Sequence, residues 1–239
     1  MKQKLWQKLP SQESGFTIIE SLVALMVAGI LLAAVAPVIV LSVATRVQAK
    51  RVEIATDAAR NYIDGVRSGI ISAPSYPSPT QDTLAAYSAP AVGSLTCSTN
   101  FAYCTSPTTN LYCVNLDSTA GCSSTSADDL VIQAIRFRTI TDPTDTPTPP
   151  ARPTRFIHDT DASKDYQLLV RVYRADGFAA GSNLKRYCKQ PTFTAGLGDR
   201  KAPLAELTTE ISRNVTFNNL SDRLSAPAST DNNIPTKCS

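Results

Sequence analysis

The feature that most constrains this chain is an apolar run from Phe16 to Ala44 with a single ionisable side chain, Glu20. A helix needs ~20 consecutive apolar residues to cross a bilayer, and this run exceeds that. A carboxylate at the centre of such a span costs ~2.5–3.5 kcal/mol on insertion scales. Glu20 lies near one end, where the cost is lower, yet an intramembrane acid still calls for a purpose. The residues before it, Met1 to Gly15, carry Lys2, Lys4, Lys8 and one acid, Glu13, with no long apolar core. A secretory signal places roughly 7–15 apolar residues before its cleavage site. Here the apolar run is longer and follows the plausible cut. A plain signal-anchor would also fit the length, but it has no use for Glu20.

The junction Gly15-Phe16-Thr17-Ile18-Ile19-Glu20 resembles the prepilin class, which includes type IV pilins and type II secretion pseudopilins. The resemblance implies that a prepilin peptidase recognises Gly15 and cuts before Phe16, which is then N-methylated. It implies that Glu20 meets the N-terminal amine of a neighbouring pilin or pseudopilin subunit. The physics agrees, because a carboxylate and an ammonium in apolar surroundings each cost less when paired. The other implied partners are membrane lipid, an inner-membrane assembly platform and its assembly ATPase system. Gly29 and Pro37 match the glycine and proline that flank a stretch of the family helix which unwinds on assembly. An ordinary proline kink is the other reading of Pro37. The segments Arg46–Glu53 and Tyr62–Gly69 resemble more narrowly the pseudopilins of the hormogonium polysaccharide secretion system of filamentous cyanobacteria. Both segments lie within the stretch Pro37–Gly69 that carries the likeness. The likeness implies a polysaccharide cargo and a role in gliding motility.

Charge gives little help with orientation. Lys2, Lys4 and Lys8 precede the span, and Arg46, Lys50 and Arg51 follow it closely. The positive-inside bias is therefore nearly balanced. The resemblance and the cysteines described below put the leader in the cytoplasm and the rest in the periplasm, or on a cell-surface filament after assembly. Residues 45–71 continue the helical pattern as an amphipathic half, with Val47, Ile54, Ala58, Tyr62, Val66 and Ile70 assigned to one face. Lys50 and Glu53, Asp57 and Arg60, Arg60 and Asp64, and Asp64 and Arg67 are oppositely charged at helical spacing. Gly69 and Pro74 mark the end. A helix from Phe16 to Ile71 would be roughly 80 Å long.

From Ser72 to Ser239 the composition shifts to Pro, Ser, Thr and Asn, over a length that suits one domain. Leu130–Arg138 and Tyr166–Arg174 read as strands, the second with Leu168, Val170 and Val172 on one face and a turn at Asp176-Gly177. A third strand is expected over Glu210–Phe217. Thr141–Pro153 is rich in Pro, Thr and Asp and reads as an exposed loop. The expected fold is α+β and pilin-like: a long N-terminal membrane-spanning helix whose amphipathic half packs on one face of a small antiparallel sheet. The resemblance implies the same lollipop, with the helix as stalk.

Six cysteines, Cys97, Cys104, Cys113, Cys122, Cys188 and Cys238, all follow the span. An even number on one side points to an oxidising compartment and disulfides. Six cysteines allow 15 connectivities. Pairing near neighbours gives Cys97–Cys104, Cys113–Cys122 and Cys188–Cys238. Zinc is the competing reading, but there is no CxxC, and the single histidine, His158, is remote in sequence.

No catalytic constellation emerges. A Ser-His-Asp or Cys-His site would have to use His158, which lies in a polar stretch and reads as a solvated loop residue. There is no P-loop, HExxH or dinucleotide fingerprint, and Gly196–Arg200 reads as a turn. Asp142 with Asp145, or Asp159 with Asp161, supply the oxygen chemistry calcium prefers, but without an EF-hand pattern. Asn214-Val215-Thr216 is a glycosylation sequon inside an expected strand. The net charge of +3 is spread along the chain, with no basic patch carrying interleaved aromatics, so no nucleic-acid partner is expected. No cofactor or metal is expected either. The sequence thus reads as a non-enzymatic structural subunit, with a membrane-tethered binding module that never polymerises as the alternative from another class. An anchored hydrolase has the least support.

Overall fold

A computed structural model of the chain describes residues 15, 17–77, 84–97, 99–141, 144, 156–186, 189–191, 198–212 and 217. The chain divides into two compact units, residues 1–44 and 45–239. In the first, the described structure after Thr17 is the N-terminal part of helix α1, which spans Ile18–Ser68. Residues 18–43 are all exposed, including Ile18, Leu25 and Leu32. The helix runs through Gly29 and contains Pro37. Pro37 has no N–H to give the carbonyl of Ala33, which leaves one rung of the helical ladder unmade.

The second unit begins with the remainder of α1. Its buried positions are Gln48, Val52, Ala55, Ala58, Ala59, Tyr62, Ile63 and Val66. This corrects the sequence assignment at both ends: Val47 is exposed, and so is Ile70, which lies beyond the helix. The reason is geometric. Each step of four residues overshoots a full turn by about 40°, so an unbroken run of fours drifts off any face. The buried series 48, 52, 55, 59, 62, 66 alternates fours and threes and stays on one side. Alanines at 55, 58 and 59 keep the helix surface low against the sheet. Three of the four expected charge pairs form, Lys50–Glu53, Asp57–Arg60 and Asp64–Arg67, all exposed. The helix ends where Gly69 takes φ +79°, a conformation that L side chains disfavour. The Ile71 N–H then donates to the Gly65 carbonyl at 3.0 Å. A Cβ on Gly65 would come within 2.5 Å of the Ile71 side chain, so glycine is what permits this fold-back.

Among the described residues eight strands follow: β1 Thr96–Cys97, β2 Cys104–Ser106, β3 Leu111–Val114, β4 Leu130–Phe137, β5 Thr139–Thr141, β6 Phe156–His158, β7 Tyr166–Arg174 and β8 Ala205–Ile211. The main sheet is antiparallel in the order β3-β4-β7-β8, flanked by the small β1-β2 and β5-β6 pairs. β7 has the expected limits and β4 ends one residue early. β8 lies about five residues before the expected third strand and shares only Glu210 and Ile211 with it. Its register is set by β7, Val172 opposite Ala205 and Tyr166 opposite Ile211, rather than by its own modest apolar pattern. Residues 213–216 of the expected strand lie outside the described residues. The turn after β7 is a short 3-10 helix, Ala175–Phe178.

One sheet face carries Ile132, Ala134, Leu168, Val170 and Val172 and packs on the buried face of α1. Burying each large side chain there contributes about 1.5–3 kcal/mol. At the β3 end, Tyr62 stacks near Tyr112 and Tyr103, with ring centroids 5.0 and 6.5 Å away. Tyr62 Oη and Tyr103 Oη are 2.6 Å apart, and the Tyr103 hydroxyl donates to the Ser72 carbonyl at 2.8 Å. The opposite face is also covered: Leu84 and Tyr87 lie on Ile135 and Leu169, while Phe178 and Leu184 lie on Val131 and Tyr173. Arg171 is 1 % exposed there, its Nε pairing with Glu206 at 2.9 Å and one Nη donating to the Tyr87 carbonyl at 2.8 Å. A buried cation is tolerated because it is paired and hydrogen-bonded.

Disulfides join Cys97 to Cys104 and Cys113 to Cys122. The first ties β1 to β2, and the second ties β3 to the loop before β4. Cys188 and Cys238 lie outside the described residues.

Candidate functional site

The residues singled out at the N-terminus gather at the start of α1. Gly15 is exposed and precedes the helix. Phe16 lies outside the described residues. Thr17 is the residue before the first helical position, and its Oγ1 accepts the Glu20 N–H at 3.3 Å. Its carbonyl accepts the Ser21 N–H at 3.1 Å and the Ser21 hydroxyl at 3.0 Å. This is one half of a capping box, with threonine at the N-cap and the acid three residues on. Sequence reasoning passed over Thr17, although Thr-x-x-Glu before an apolar run is a readable helix-start signal. Glu20, in the first turn, also suits the positive end of the helix dipole. Around it the helix presents Ile19, Val23, Ala24 and Val27. A carboxylate is thus carried on an otherwise apolar helix surface. Gly29, further along, has open space where a Cβ would stand.

Among the described residues, α1 is the helix long and apolar enough to cross a membrane.

The other candidates do not converge on this segment. His158 is not a solvated loop residue. It closes β6 opposite Thr139 and is half-buried, with ring centroids 5.5 Å from Phe137 and 6.3 Å from Tyr76. The β5-β6 pairing draws it in, and neither short strand has enough alternation to be read in advance. Asp159 pairs with Arg138 at 2.9 Å and accepts the Asp161 N–H. Asp161 accepts the Ser163 N–H at 2.9 Å and the Ser163 hydroxyl at 2.7 Å. These bonds hold its carboxyl below the usual range. Both acids are thus engaged in shaping the loop. Asp142, Asp145 and the Asn214 sequon lie outside the described residues. Among the described residues, no group of three or more His, Cys, Asp or Glu is placed to hold a metal ion. Of the expected turn Gly196–Arg200, Gly196 and Leu197 lie outside the described residues; Gly198 takes φ +77°, and a turn closed by Ala202 N–H on the Asp199 carbonyl follows it.

Residues 10–36 match the family model described as the prokaryotic N-terminal methylation motif. The match brackets Gly15, Phe16 and Glu20. Together with the long apolar helix and the disulfide-bonded sheet, it supports the pilin and pseudopilin class. The fold is pilin-like. No curated protein and no solved structure matches the chain. What is supported is a membrane-anchored, pilin-like structural module with a single N-terminal span.

Proposed function

We propose that this chain is a prepilin processed between Gly15 and Phe16, N-methylated at Phe16, and assembled as a subunit of a type IV pilus-like or secretion pseudopilus filament. The observation that carries this is the methylation motif over residues 10–36, set at the head of a helix whose apolar N-terminal half bears one carboxylate, Glu20. On this reading the helix first anchors the protein in the inner membrane, with the leader cytoplasmic and the sheet unit periplasmic. A prepilin peptidase removes residues 1–15, and the assembly platform with its ATPase system lifts the helix out of the bilayer. Glu20 then pairs with the Phe16 amine of a neighbouring subunit. That pairing sets the axial register, because a charge left unpaired in an apolar bundle is penalised by several kcal/mol. Gly29 and Pro37 provide the places where the helix loosens during packing. The narrower likeness of Arg46–Glu53 and Tyr62–Gly69 favours a role in polysaccharide secretion and gliding motility. The protein itself performs no chemistry on this reading.

Intact-mass and N-terminal peptide analysis of the membrane-bound protein tests the proposal. The expected N-terminus is Phe16 carrying one methyl group. A membrane-bound chain that retains Met1–Gly15 overturns it.

A further inference from the structure

The sheet face opposite α1 holds a cleft of about 370 Å³. Its floor is Gln133 and Ile135 of β4, and its walls include Tyr76, Ser88, Thr109 and Asn110. A volume of this order is at the small end for a ligand site. No residue lining it carries a charge. Tyr76 is held in place by the Arg136 guanidinium, 5.5 Å from its ring centroid. Thr108 Oγ1 donates to Asn110 Oδ1 at 2.7 Å, which fixes the carboxamide orientation. The amide nitrogen of Asn110 has no hydrogen-bond partner among the described residues. The hydroxyls of Ser75 and Thr109 meet at 3.2 Å.

We propose that this cleft binds a neutral, polyhydroxylated ligand, a short segment of an uncharged polysaccharide. Three physical arguments select that class. A charged ligand would be desolvated against a lining without a charged side chain of its own, and the Arg171 guanidinium behind Gln133 and Tyr87 is already paired with Glu206. An apolar ligand would leave the Asn110 amide nitrogen unpaired, at a penalty. A peptide strand would need a free ladder, whereas Gln133 already lies between Leu111 of β3 and Arg171 of β7. Recognition therefore falls to side-chain hydroxyls and amides beside an aromatic ring, which match sugar hydroxyls and the apolar face of a pyranose. The cleft lies on the sheet face away from the helix, so it stays open when helices pack together. That accessibility rests on the subunit reading above, whereas the binding does not.

The test is calorimetric titration of the full chain, in a detergent without a sugar headgroup, against neutral tetrasaccharides (cellotetraose, maltotetraose, mannotetraose) and tetragalacturonate. At least one neutral sugar is expected to bind, tetragalacturonate is not, and Asn110→Ala should weaken binding about tenfold, the worth of one hydrogen bond. Thr109→Val, which removes only a wall hydroxyl, should weaken it less while keeping the melting temperature. Absence of binding by all three neutral sugars at millimolar concentration overturns the proposal, as does equal binding of the charged one or indifference to both substitutions. Filament formation is read separately. Filaments without sugar binding sink the cleft alone, and sugar binding by a chain that forms no filaments sinks the subunit reading alone.

Discussion

The two halves of α1 are one helix by backbone and two by surroundings. From residue 18 to 43 every side chain is exposed, leucines and isoleucines included. From Gln48 to Val66 eight positions are buried against the sheet. The second half finds its apolar partner inside its own chain. The first half has none among the described residues, and a helix that is apolar all round finds one in lipid or in other helices. The contrast divides the work of the sequence. Alternating threes and fours in the second half specify a single packed face. The apolar surface of the first half specifies only a medium, and Glu20 is the one ionisable residue it carries.

The sharpest way to break this contrast is Glu20→Ala, with Glu20→Gln to separate charge from shape. Filament or pseudopilus yield is expected to fall to background in both, because the unpaired amine of the neighbour would be left in apolar surroundings. The melting temperature of the sheet unit should not move. Filament assembly at normal yield would remove Glu20 from the mechanism and favour an anchored module that does not depend on pairing. The second experiment compares one substitution in each half. Tyr62→Ala empties a site that is 2 % exposed and takes away the partner of Tyr103 and Tyr112, so it should cost about 3–5 kcal/mol of stability. Leu25→Ala, on a residue 74 % exposed, should change stability by less than about 0.5 kcal/mol. Similar losses from the two would mean that the first half has a packing partner within the chain after all.

What could be read ahead of the structure follows the same division. The methylation-type junction was legible because Gly15, Phe16 and Glu20 stand at fixed spacing before an apolar run. Thr17 was as legible and was missed, since its role is local capping rather than chemistry. The central strands β4 and β7 announced themselves by β-branched residues in alternation. The edge strands did not: β3 has four residues, and β8 takes its register from β7. The second buried face was hidden for a different reason. Arg171 and Tyr173 alternate with Leu168, Val170 and Val172 and read as solvent-facing. The segments that cover them, around Tyr87 and Phe178, have no periodicity to betray a packing role.

The disulfides provide a smaller, graded effect within the packed region. Cys113–Cys122 closes a separation of nine residues and Cys97–Cys104 one of seven. Loop-closure entropy for loops of that size is worth about 2–3 kcal/mol each. Cys113 is fully buried in β3, so Cys113→Ala with Cys122→Ala loses packing as well, whereas Cys97 is half-buried. Denaturant titration should rank the double alanine variant at 113 and 122 as the less stable of the two. The reverse order would show that the β1-β2 ribbon, not β3, is the better-anchored edge.

The smallest effect is silent at neutral pH. Burial raises the phenol of Tyr62 well above its usual range, helped by the neighbouring Tyr103 hydroxyl, and burial likewise raises Tyr103 and Tyr173. In the unfolded chain a tyrosine ionises near pH ~10. The folded state holds these three protonated beyond that point. Their contribution is therefore complete below about pH 10 and is lost as pH rises from there through the folded values. The melting temperature should be flat on their account up to about pH 9.5 and decline above pH ~10. Phenolate absorbance of the folded protein should lag behind that of the unfolded chain, the buried tyrosines ionising only with unfolding. A single step that brings all eight tyrosines up together near pH ~10 without unfolding would mean that the cluster linking Tyr62 to β3 is open to water. In that case the packed half of α1 would be less different from the exposed half than its burial implies.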